Sequence, residues 1–287
     1  MNRRLPARLR AFLALVALIA LLLVGCGGGP AQRPGAGART RSETRRPPEP
    51  PLLPVRRPVP RTVRLPVLTY HRVHRYASER APSVPDLTVE PTTFDEEIAG
   101  LRRRGYHSVT DRQVYDALFK GRPLPPKPVM LTFDDGYRDA VTDILPVLER
   151  YGMVGTFYII TDRVGGRDYV TVGDLRRLAA AGMDIGGHSA THPDLTTVSA
   201  RQLERETSGS RRRLERMLGR PVPFFAYPFG RHDVRVGAAV RRAGFAVAFT
   251  TQAGTRLAST SALTEPRLHI GRQTTAEGVL PLVEAGR

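Results

Sequence analysis

Two groups of residues in this sequence combine the side chains needed for metal-assisted hydrolysis. Asp134 and Asp135 are adjacent, and His188 and His192 are four residues apart. Each pattern alone is weak, because Asp-Asp-Gly is common in turns and a His-x-x-x-His pair also fits a plain loop. Together they supply three ligands for an open metal site and one further carboxylate, which could take a proton from a water molecule.

Four segments with chemically capable residues each follow an apolar run that has the length of a β-strand. The strands predicted at 129–133, 183–186, 66–70 and 224–227 lead, respectively, into Asp134, His188, His71 and Pro228. In parallel α/β folds, ligands bind at the carboxyl ends of the strands. We therefore expect all four segments to lie at one face of the sheet.

Strand and helix patterns alternate through the chain after residue 66. Further strands are predicted at 107–109, 154–160, 246–249 and 267–270, and helices at 93–104, 139–150, 175–181, 199–218, 234–243 and 275–287. The helix at 93–104 is expected to open with a capping box of Thr93 and Glu96. This alternation predicts an α/β fold, a distorted (β/α) barrel of about seven strands.

In their order and spacing, three motifs resemble those of the NodB-like polysaccharide deacetylases, carbohydrate esterase family four. They are Thr132-Phe133-Asp134-Asp135-Gly136-Tyr137, His188-Ser189-Ala190-Thr191-His192 and Phe225-Ala226-Tyr227-Pro228-Phe229-Gly230. An earlier segment, Leu68-Thr69-Tyr70-His71-Arg72-Val73, resembles the branch that contains biofilm poly-N-acetylglucosamine deacetylases. The resemblance extends over about residues 66–270, the whole predicted domain.

The resemblance implies a role for each group in these motifs. Asp135, His188 and His192 would bind a divalent metal, zinc before other transition metals, and Asp134 would be the general base. A backbone N–H near Phe229 would help to stabilise the oxyanion. The candidates for the substrate-binding and oxyanion site are Tyr137, Tyr227, Pro228, Phe229 and Gly230, although for both tyrosines packing at the strand ends is an equal alternative.

The sequence departs from the family pattern in two ways. Ala226 stands where many family members have an arginine that orients the catalytic aspartate, so this support must come from elsewhere or be absent. The chain has no tryptophan, so the family's Asp-Trp motif is missing. Two histidines are open for the general acid: His71, and His269 in a segment that loosely resembles the last family motif. The position of His71 after the first strand favours it.

The first 66 residues predict export and a tether. Basic residues precede an apolar run at 11–24, which ends in Leu23-Val24-Gly25-Cys26 and resembles the lipobox of bacterial lipoproteins. Residues 1–25 are predicted to be a signal peptide and Cys26 the lipidated residue of an extracytoplasmic, membrane-anchored protein of the cell envelope. The alternative is an uncleaved signal anchor. Residues 26–65, rich in Gly, Pro and Arg, are predicted to be a disordered tether, and 66–287 the catalytic domain.

The charge of the chain is concentrated ahead of the predicted domain. Its 287 residues have a formal net charge of +17, a value typical of nucleic-acid binders. Residues 1–66 contribute +11 of this, which leaves +6 for residues 67–287. The sequence therefore predicts a metal-dependent deacetylase of an N-acetylglucosamine-type polysaccharide, with no nucleic-acid partner and no specific protein partner. The alternative is a catalytically impaired carbohydrate-binding protein of the same fold.

Overall fold

The computed structural model describes residues 59–76 and 85–285. The predicted signal peptide, Cys26 and most of the predicted tether lie outside the described residues, so export and lipidation stay predictions. Within the described residues, no helix combines the length and the apolar composition that crossing a membrane requires.

A curled parallel sheet forms the centre of the domain, as the sequence predicted. The strands are β1 (Thr62–Arg64), β2 (Val67–Tyr70), β3 (Arg72–Val73), β4 (Thr88–Val89), β5 (His107–Val109), β6 (Pro128–Phe133), β7 (Thr156–Ile159), β8 (Asp184–Gly187), β9 (Phe224–Ala226), β10 (Val247–Phe249), β11 (Arg256–Ala258) and β12 (Leu268–His269). Seven of them pair side by side in the order β10-β9-β8-β7-β6-β2-β12, and β5 pairs with the first half of β6. All eight predicted strands are members of this sheet.

The barrel is open on one side. Among the described residues no ladder joins β10 to β12; the segment before β12 contacts β10 through an isolated parallel bridge between Phe249 and Glu265. Two short sheets complete the fold: β1 pairs with β11 in antiparallel register, and β3 pairs with β4. The prediction of a distorted barrel is confirmed in the form of a half-barrel.

The helices cover the outside of the sheet. They are α1 (Pro91–Arg103), α2 (Asp111–Tyr115), α3 (Leu145–Tyr151), α4 (Val172–Ala180), α5 (Ala200–Glu204), α6 (Ser210–Leu218), α7 (Val234–Arg242) and α8 (Ala276–Ala285). Wide π-type turns at Asp116–Lys120, Ala140–Ile144 and Arg205–Gly209 extend α2, precede α3 and join α5 to α6. Thr171, Ser199 and Asp233 cap helices α4, α5 and α7 through their side-chain oxygens.

The start of α1 differs from the prediction. The helix begins at Pro91 after Glu90, and the capping box predicted for Thr93 and Glu96 is wrong, because Thr93 already lies inside the helix. Proline suits the first helical position, since its φ is fixed at a helical value and its missing N–H would have no partner there. Helix α2, which the sequence analysis missed, carries a true capping box of Thr110 and Gln113.

The register of the sheet aligns the strand ends that lead into the predicted site. Tyr70 lies opposite Phe133, and Phe133 lies opposite Phe157. Gly187 in turn lies opposite Phe225. The residues that follow these strands therefore meet at one edge. Successive side chains of a strand point to opposite faces of the sheet, so the core has two parts. One buried cluster lies between the sheet and the helices, and a smaller one lies inside the curl of the sheet.

Candidate active site

The three predicted metal ligands come together at the carboxyl edge of the sheet. Asp135 Oδ1 lies 3.5 Å from His188 Nε2 and 3.6 Å from His192 Nε2. One ligand atom from each residue can be chosen so that all three lie within 4.8 Å of one another. Asp135 Oδ1 is buried and has no hydrogen-bond partner among the described residues. A buried carboxylate oxygen without a hydrogen-bond partner destabilises the folded protein unless a cation neutralises it.

Two of these ligands have backbone conformations that L-residues rarely adopt. The φ angle is +74° at Asp135 and +67° at His192, and Ser189 between the two histidines has a φ of +64°. Each costs roughly 1–2 kcal/mol relative to the right-handed region. The Ser189 hydroxyl oxygen accepts a hydrogen bond from the His192 N–H at 2.8 Å, which closes the loop. Such strain persists only where the surroundings enforce it, and it is concentrated at functional sites.

The ring of His188 is oriented by the backbone of the next strand. Its Nδ1 lies 2.7 Å from the carbonyl oxygen of Ala226 and is therefore the protonated nitrogen, which leaves the Nε2 lone pair facing Asp135. Burial lowers the pKa of His188 to about 3. Burial also lowers the pKa of His192. Both imidazoles are thus neutral at pH 7, which is the form that binds a metal.

Asp134 is held by an arginine that the motifs did not indicate. Arg267 Nη1 donates to Asp134 Oδ1 at 2.8 Å, and Arg267 Nη2 donates to Asp134 Oδ2 at 2.7 Å. The guanidinium also donates to Thr250 O at 3.0 Å and to Thr132 Oγ1 at 3.3 Å. Only 2% of Arg267 and 3% of Asp134 are exposed. The support that is missing at Ala226 therefore comes from the segment just before β12.

The sequence placed Arg267 only at the start of the strand predicted at 267–270. The one signal for it is general, since an arginine whose side chain is buried needs a partner of opposite charge. Nothing local, however, indicates Asp134 as that partner, because the two residues are 133 positions apart.

The pKa values of the two adjacent aspartates shift in opposite directions. Burial raises the pKa of Asp135 to about 7, and the negative charge of Asp134 adds to this rise. Burial would also raise the pKa of Asp134, but the Arg267 guanidinium, together with His188, holds it below its ordinary value. Asp134 is therefore ionised at neutral pH, whereas Asp135 needs a cation to remain ionised.

The two candidate general acids lie side by side. The rings of His71 and His269 are 5.9 Å apart; His71 follows β2, and His269 lies on β12, which pairs with β2. His269 is exposed, whereas His71 is partly buried, and its Nδ1 has no hydrogen-bond partner among the described residues. Burial lowers the pKa of His71 to about 4. The structure brings both histidines to the edge that carries Asp134, and the choice between them stays a prediction.

The third motif contributes one exposed aromatic ring and one buried ring. Phe229 is 56% exposed, has a φ of +57°, and its ring lies 4.6 Å from the ring of His192. Tyr227 is fully buried, and its hydroxyl donates to Leu263 O at 2.9 Å. For the Tyr227 side chain the structure therefore favours the packing alternative over groove lining. Pro228, between them, is buried, and Gly230, after Phe229, lies so close to Thr251 that a side chain would clash.

Tyr137 directly follows the Asp-Asp-Gly turn. Its ring stacks on Tyr169 at 5.1 Å and lies 4.5 Å below the guanidinium of Arg72. This stack joins the loop at 163–170 to the Asp-Asp-Gly turn, and Val170 N–H donates to Gly136 O at 3.0 Å. Tyr137 is thus packed yet only partly buried, so a role in substrate binding stays a prediction.

Comparisons with known proteins identify the family. The family model for polysaccharide deacetylases matches residues 121–248. The solved structure of the deacetylase PplD of Streptococcus pyogenes, in complex with acetate, aligns with a TM-score of 0.71 and 26% identity over 78% of this chain and 99% of that one. BC0361, a polysaccharide deacetylase of Bacillus cereus, aligns with a TM-score of 0.68 and 27% identity over 77% and 69%.

A curated relative supports the same assignment. YxkH of Bacillus subtilis, described as a candidate polysaccharide deacetylase, is 28% identical over 191 residues, which are 67% of this chain and 66% of YxkH. The chain thus spans just under two thirds of the length of this relative. These similarities identify a polysaccharide deacetylase domain of the NodB-like type, carbohydrate esterase family four, within this chain, and that family consists of hydrolases that act on N-acetyl amide bonds.

Proposed function

We propose that this protein is a metal-dependent deacetylase that removes N-acetyl groups from a polysaccharide of N-acetylglucosamine type. One observation carries the proposal. An unpaired, buried Asp135 oxygen faces two neutral imidazoles, and beside it Asp134 is held in one orientation by Arg267. This arrangement supplies ligands for a metal and, separately, an ionised carboxylate that can act as a base.

The donor set fits a divalent metal, and zinc in particular. Two imidazoles and one carboxylate form a typical three-residue catalytic zinc site. Two ligands that each lie about 2.1 Å from a tetrahedral ion are about 3.4 Å apart. The separations of 3.5 Å and 3.6 Å from Asp135 Oδ1 to the two Nε2 atoms agree with this value. When bound, such an ion polarises a carbonyl group and makes water more acidic.

Asp134 is suited to accept the proton of the attacking water. Both of its oxygens are occupied by Arg267, which fixes the plane of the carboxylate and keeps it ionised. The pair is fully desolvated, so its electrostatic effect is stronger than it would be in water. A base that is already oriented has little reorganisation to undergo during the reaction.

We assign the proton for the departing sugar amine to His71. It is partly buried at the end of β2, and the charge of Asp134 is near enough to raise the His71 pKa partly against the effect of burial. Because this pKa is about 4, the imidazole is neutral before the reaction, and the proton that it passes to the amine must be the one that Asp134 accepts from the attacking water. The exposed His269 is the alternative donor.

The place of action follows from the predicted N-terminal segment. A lipid on Cys26 would attach the protein to a membrane, where about 0.8 kcal/mol per buried methylene holds it. A tether such as residues 26–65 would give the domain reach to an extracytoplasmic polymer. The identity of that polymer is part of the proposal, and a poly-N-acetylglucosamine chain is the first substrate to test.

The alternative of an impaired carbohydrate-binding protein rested on Ala226 and on the missing tryptophan. Since Arg267 provides Asp134 with two hydrogen bonds, the argument from Ala226 for lost catalysis no longer applies. A binding protein would also have no need for an unpaired buried carboxylate beside two imidazoles.

Acetate release from an N-acetylglucosamine oligomer by the full chain tests the proposal. We expect release with the wild-type chain, loss on chelation, and a decrease of roughly 100- to 10,000-fold in Asp134→Asn, the range for removing a general base. Asp143→Asn is the matched control, because within residues 59–76 and 85–285 the Asp143 side chain forms a hydrogen bond only with the neighbouring Thr142 hydroxyl. No acetate release from N-acetylglucosamine oligomers, chitin-like chains or peptidoglycan would refute the deacetylase function.

A further inference from the structure

A buried glutamate holds the loop that carries both histidines. Glu206 Oε2 accepts hydrogen bonds from the backbone N–H groups of Ala190 and Thr191, both at 2.8 Å. Glu206 Oε1 accepts a third from Thr191 Oγ1 at 2.9 Å. Glu206 is 0% exposed. Hydrogen bonds to a buried carboxylate are charge-assisted and about twice as strong as neutral ones.

A local irregularity of the helix accompanies the position of Glu206. It belongs to the π-type turn Arg205–Gly209, which joins α5 to α6 without a break in the helical path. Ser210 Oγ donates to the Glu206 carbonyl oxygen at 2.6 Å, inside this turn. Arg205 supplies a counter-charge, with Nη2 2.9 Å from Glu206 Oε1. Turns of this kind are rare and occur frequently at functional sites.

The glutamate acts on the centre of the loop, between the two histidines. Two consecutive N–H groups converge on one oxygen, so the backbone must curve around it. The residues on either side, Ser189 and His192, have the left-handed conformations described above. The rings of His188 and His192 are then 4.8 Å apart and both face Asp135. None of the described contacts of Glu206 is with these three ligands.

We propose that Glu206 is a positioning residue that sets the separation of the two imidazoles and thereby the affinity of the site for its metal. The proposal rests on the proposed function, because the metal site is part of it. Groups outside the ligand set that fix the ligands typically change metal affinity 10- to 100-fold when they are replaced. Glu206 lies 14 residues beyond His192 and outside every motif that indicated the site.

Cobalt binding to the full chain tests this role without any assay of acetate release. Co²⁺ takes the place of zinc, and its visible absorption reports the number and geometry of its ligands. In Glu206→Gln, one acceptor oxygen becomes an amide group that cannot accept from the loop. We expect Co²⁺ affinity to fall about 10- to 100-fold, with an altered spectrum. Glu204→Gln is the matched control, since the one ion pair that Glu204 forms with a described residue, Arg212, is exposed and 3.8 Å long.

A second variant covers the case in which Glu206→Gln does not fold. Thr191→Val removes only the bond from Thr191 Oγ1, so it should weaken Co²⁺ binding in the same direction by a smaller factor. Wild-type affinity and spectrum in a folded Glu206→Gln, or in Thr191→Val, would overturn the proposal. Weakened binding in a chain that releases no acetate would leave the positioning role intact and refute the enzyme function. No Co²⁺ binding by the wild-type chain would refute both.

Discussion

Arg267 and Asp134 form a bidentate ion pair inside the half-barrel, at distances of 2.8 Å and 2.7 Å. The arginine precedes β12 and the aspartate follows β6, and β2 lies between these two strands in the sheet. Because both side chains are buried, removing one partner leaves an uncompensated charge, at a cost of about 3–5 kcal/mol. Only the planar guanidinium matches both carboxylate oxygens at once.

We predict that Arg267→Lys folds but loses at least about tenfold in kcat/KM. Lysine keeps the positive charge and loses the second hydrogen bond, so Asp134 is held less firmly. The lysine then offsets the effect of burial on the Asp134 carboxylate less completely than the arginine does, so the pKa of Asp134 rises. The acidic limb of the pH–rate profile for acetate release should therefore move to higher pH.

Arg256→Lys is the control for this change, since Arg256 is exposed on β11 and forms no ion pair with any described residue. An acidic limb at the same pH in wild type and Arg267→Lys would show that the arginine does not set the ionisation of Asp134.

Much of this site follows from the sequence, because strands and the residues after them are local features. Apolar runs ended at Asp134 and at His188, and the parallel sheet placed the two ends at one edge. The motifs also gave the three ligand positions correctly as neighbours in space. These predictions depended only on which residues follow each strand in the sequence.

The parts that the sequence did not reveal depend on distant partners. The role of Arg267 depends on its ion pair with Asp134, which lies 133 positions away in the sequence. Strand β1 likewise pairs with β11, near the other end of the domain. Glu206 reaches the histidine loop through an irregular helical turn that periodicity alone does not predict. The helix at Asp111 was missed although its capping box was present, because an α-helix of five residues has too little periodicity to detect.

Metal binding should be visible as a change in stability. A ligand that binds only the folded state at 100 times its Kd stabilises that state by about 2.7 kcal/mol. We predict that Zn²⁺ raises the Tm of the chelator-treated wild-type chain and does not raise that of Asp135→Asn. Asparagine suits the position because it tolerates the φ of +74° found there.

The Asp135→Asn variant also tests how much the unpaired Asp135 oxygen destabilises the metal-free protein. Burial raises the pKa of Asp135 from 3.8 to about 7, so the metal-free protein loses stability as the pH rises through this interval. At pH 8 and without metal, Asp135→Asn should therefore be at least as stable as the wild type. A metal-free variant that unfolds well below the wild type at pH 8 would contradict this expectation.

Glu97, which is not part of the candidate active site, predicts a further dependence of the free energy of unfolding on pH. Its Oε2 accepts a hydrogen bond from Tyr70 at 2.9 Å, and burial raises its pKa from 4.5 to about 8. Between these pH values the unfolded chain has lost a proton that the folded protein keeps. The free energy of unfolding should then fall with rising pH, by up to about 1.4 kcal/mol per pH unit for this group, and level off above pH 8.

Glu97→Gln should remove this contribution, because glutamine does not titrate and still offers an oxygen to Tyr70. Urea denaturation at several pH values measures the slope for wild type and variant. Glu96→Gln, at an exposed position of the same helix, should leave the wild-type slope unchanged. Equal slopes in wild type and Glu97→Gln would mean that the glutamate is not protonated in the folded protein.

The pair His71 and His269 offers the sharpest test of the proposed proton transfer. Their rings are 5.9 Å apart at one sheet edge, so either could reach the departing amine. His71 is partly buried and close to Asp134, and burial disfavours its charged form, so a proton received there during the reaction is readily passed on. His269 is exposed. We therefore predict that His71→Ala lowers kcat for acetate release by roughly 100- to 10,000-fold, the range for removing a group that transfers a proton, whereas His269→Ala keeps kcat and changes mainly KM. The opposite pattern would transfer the role of general acid to His269 and leave His71 as a packing residue beside the base.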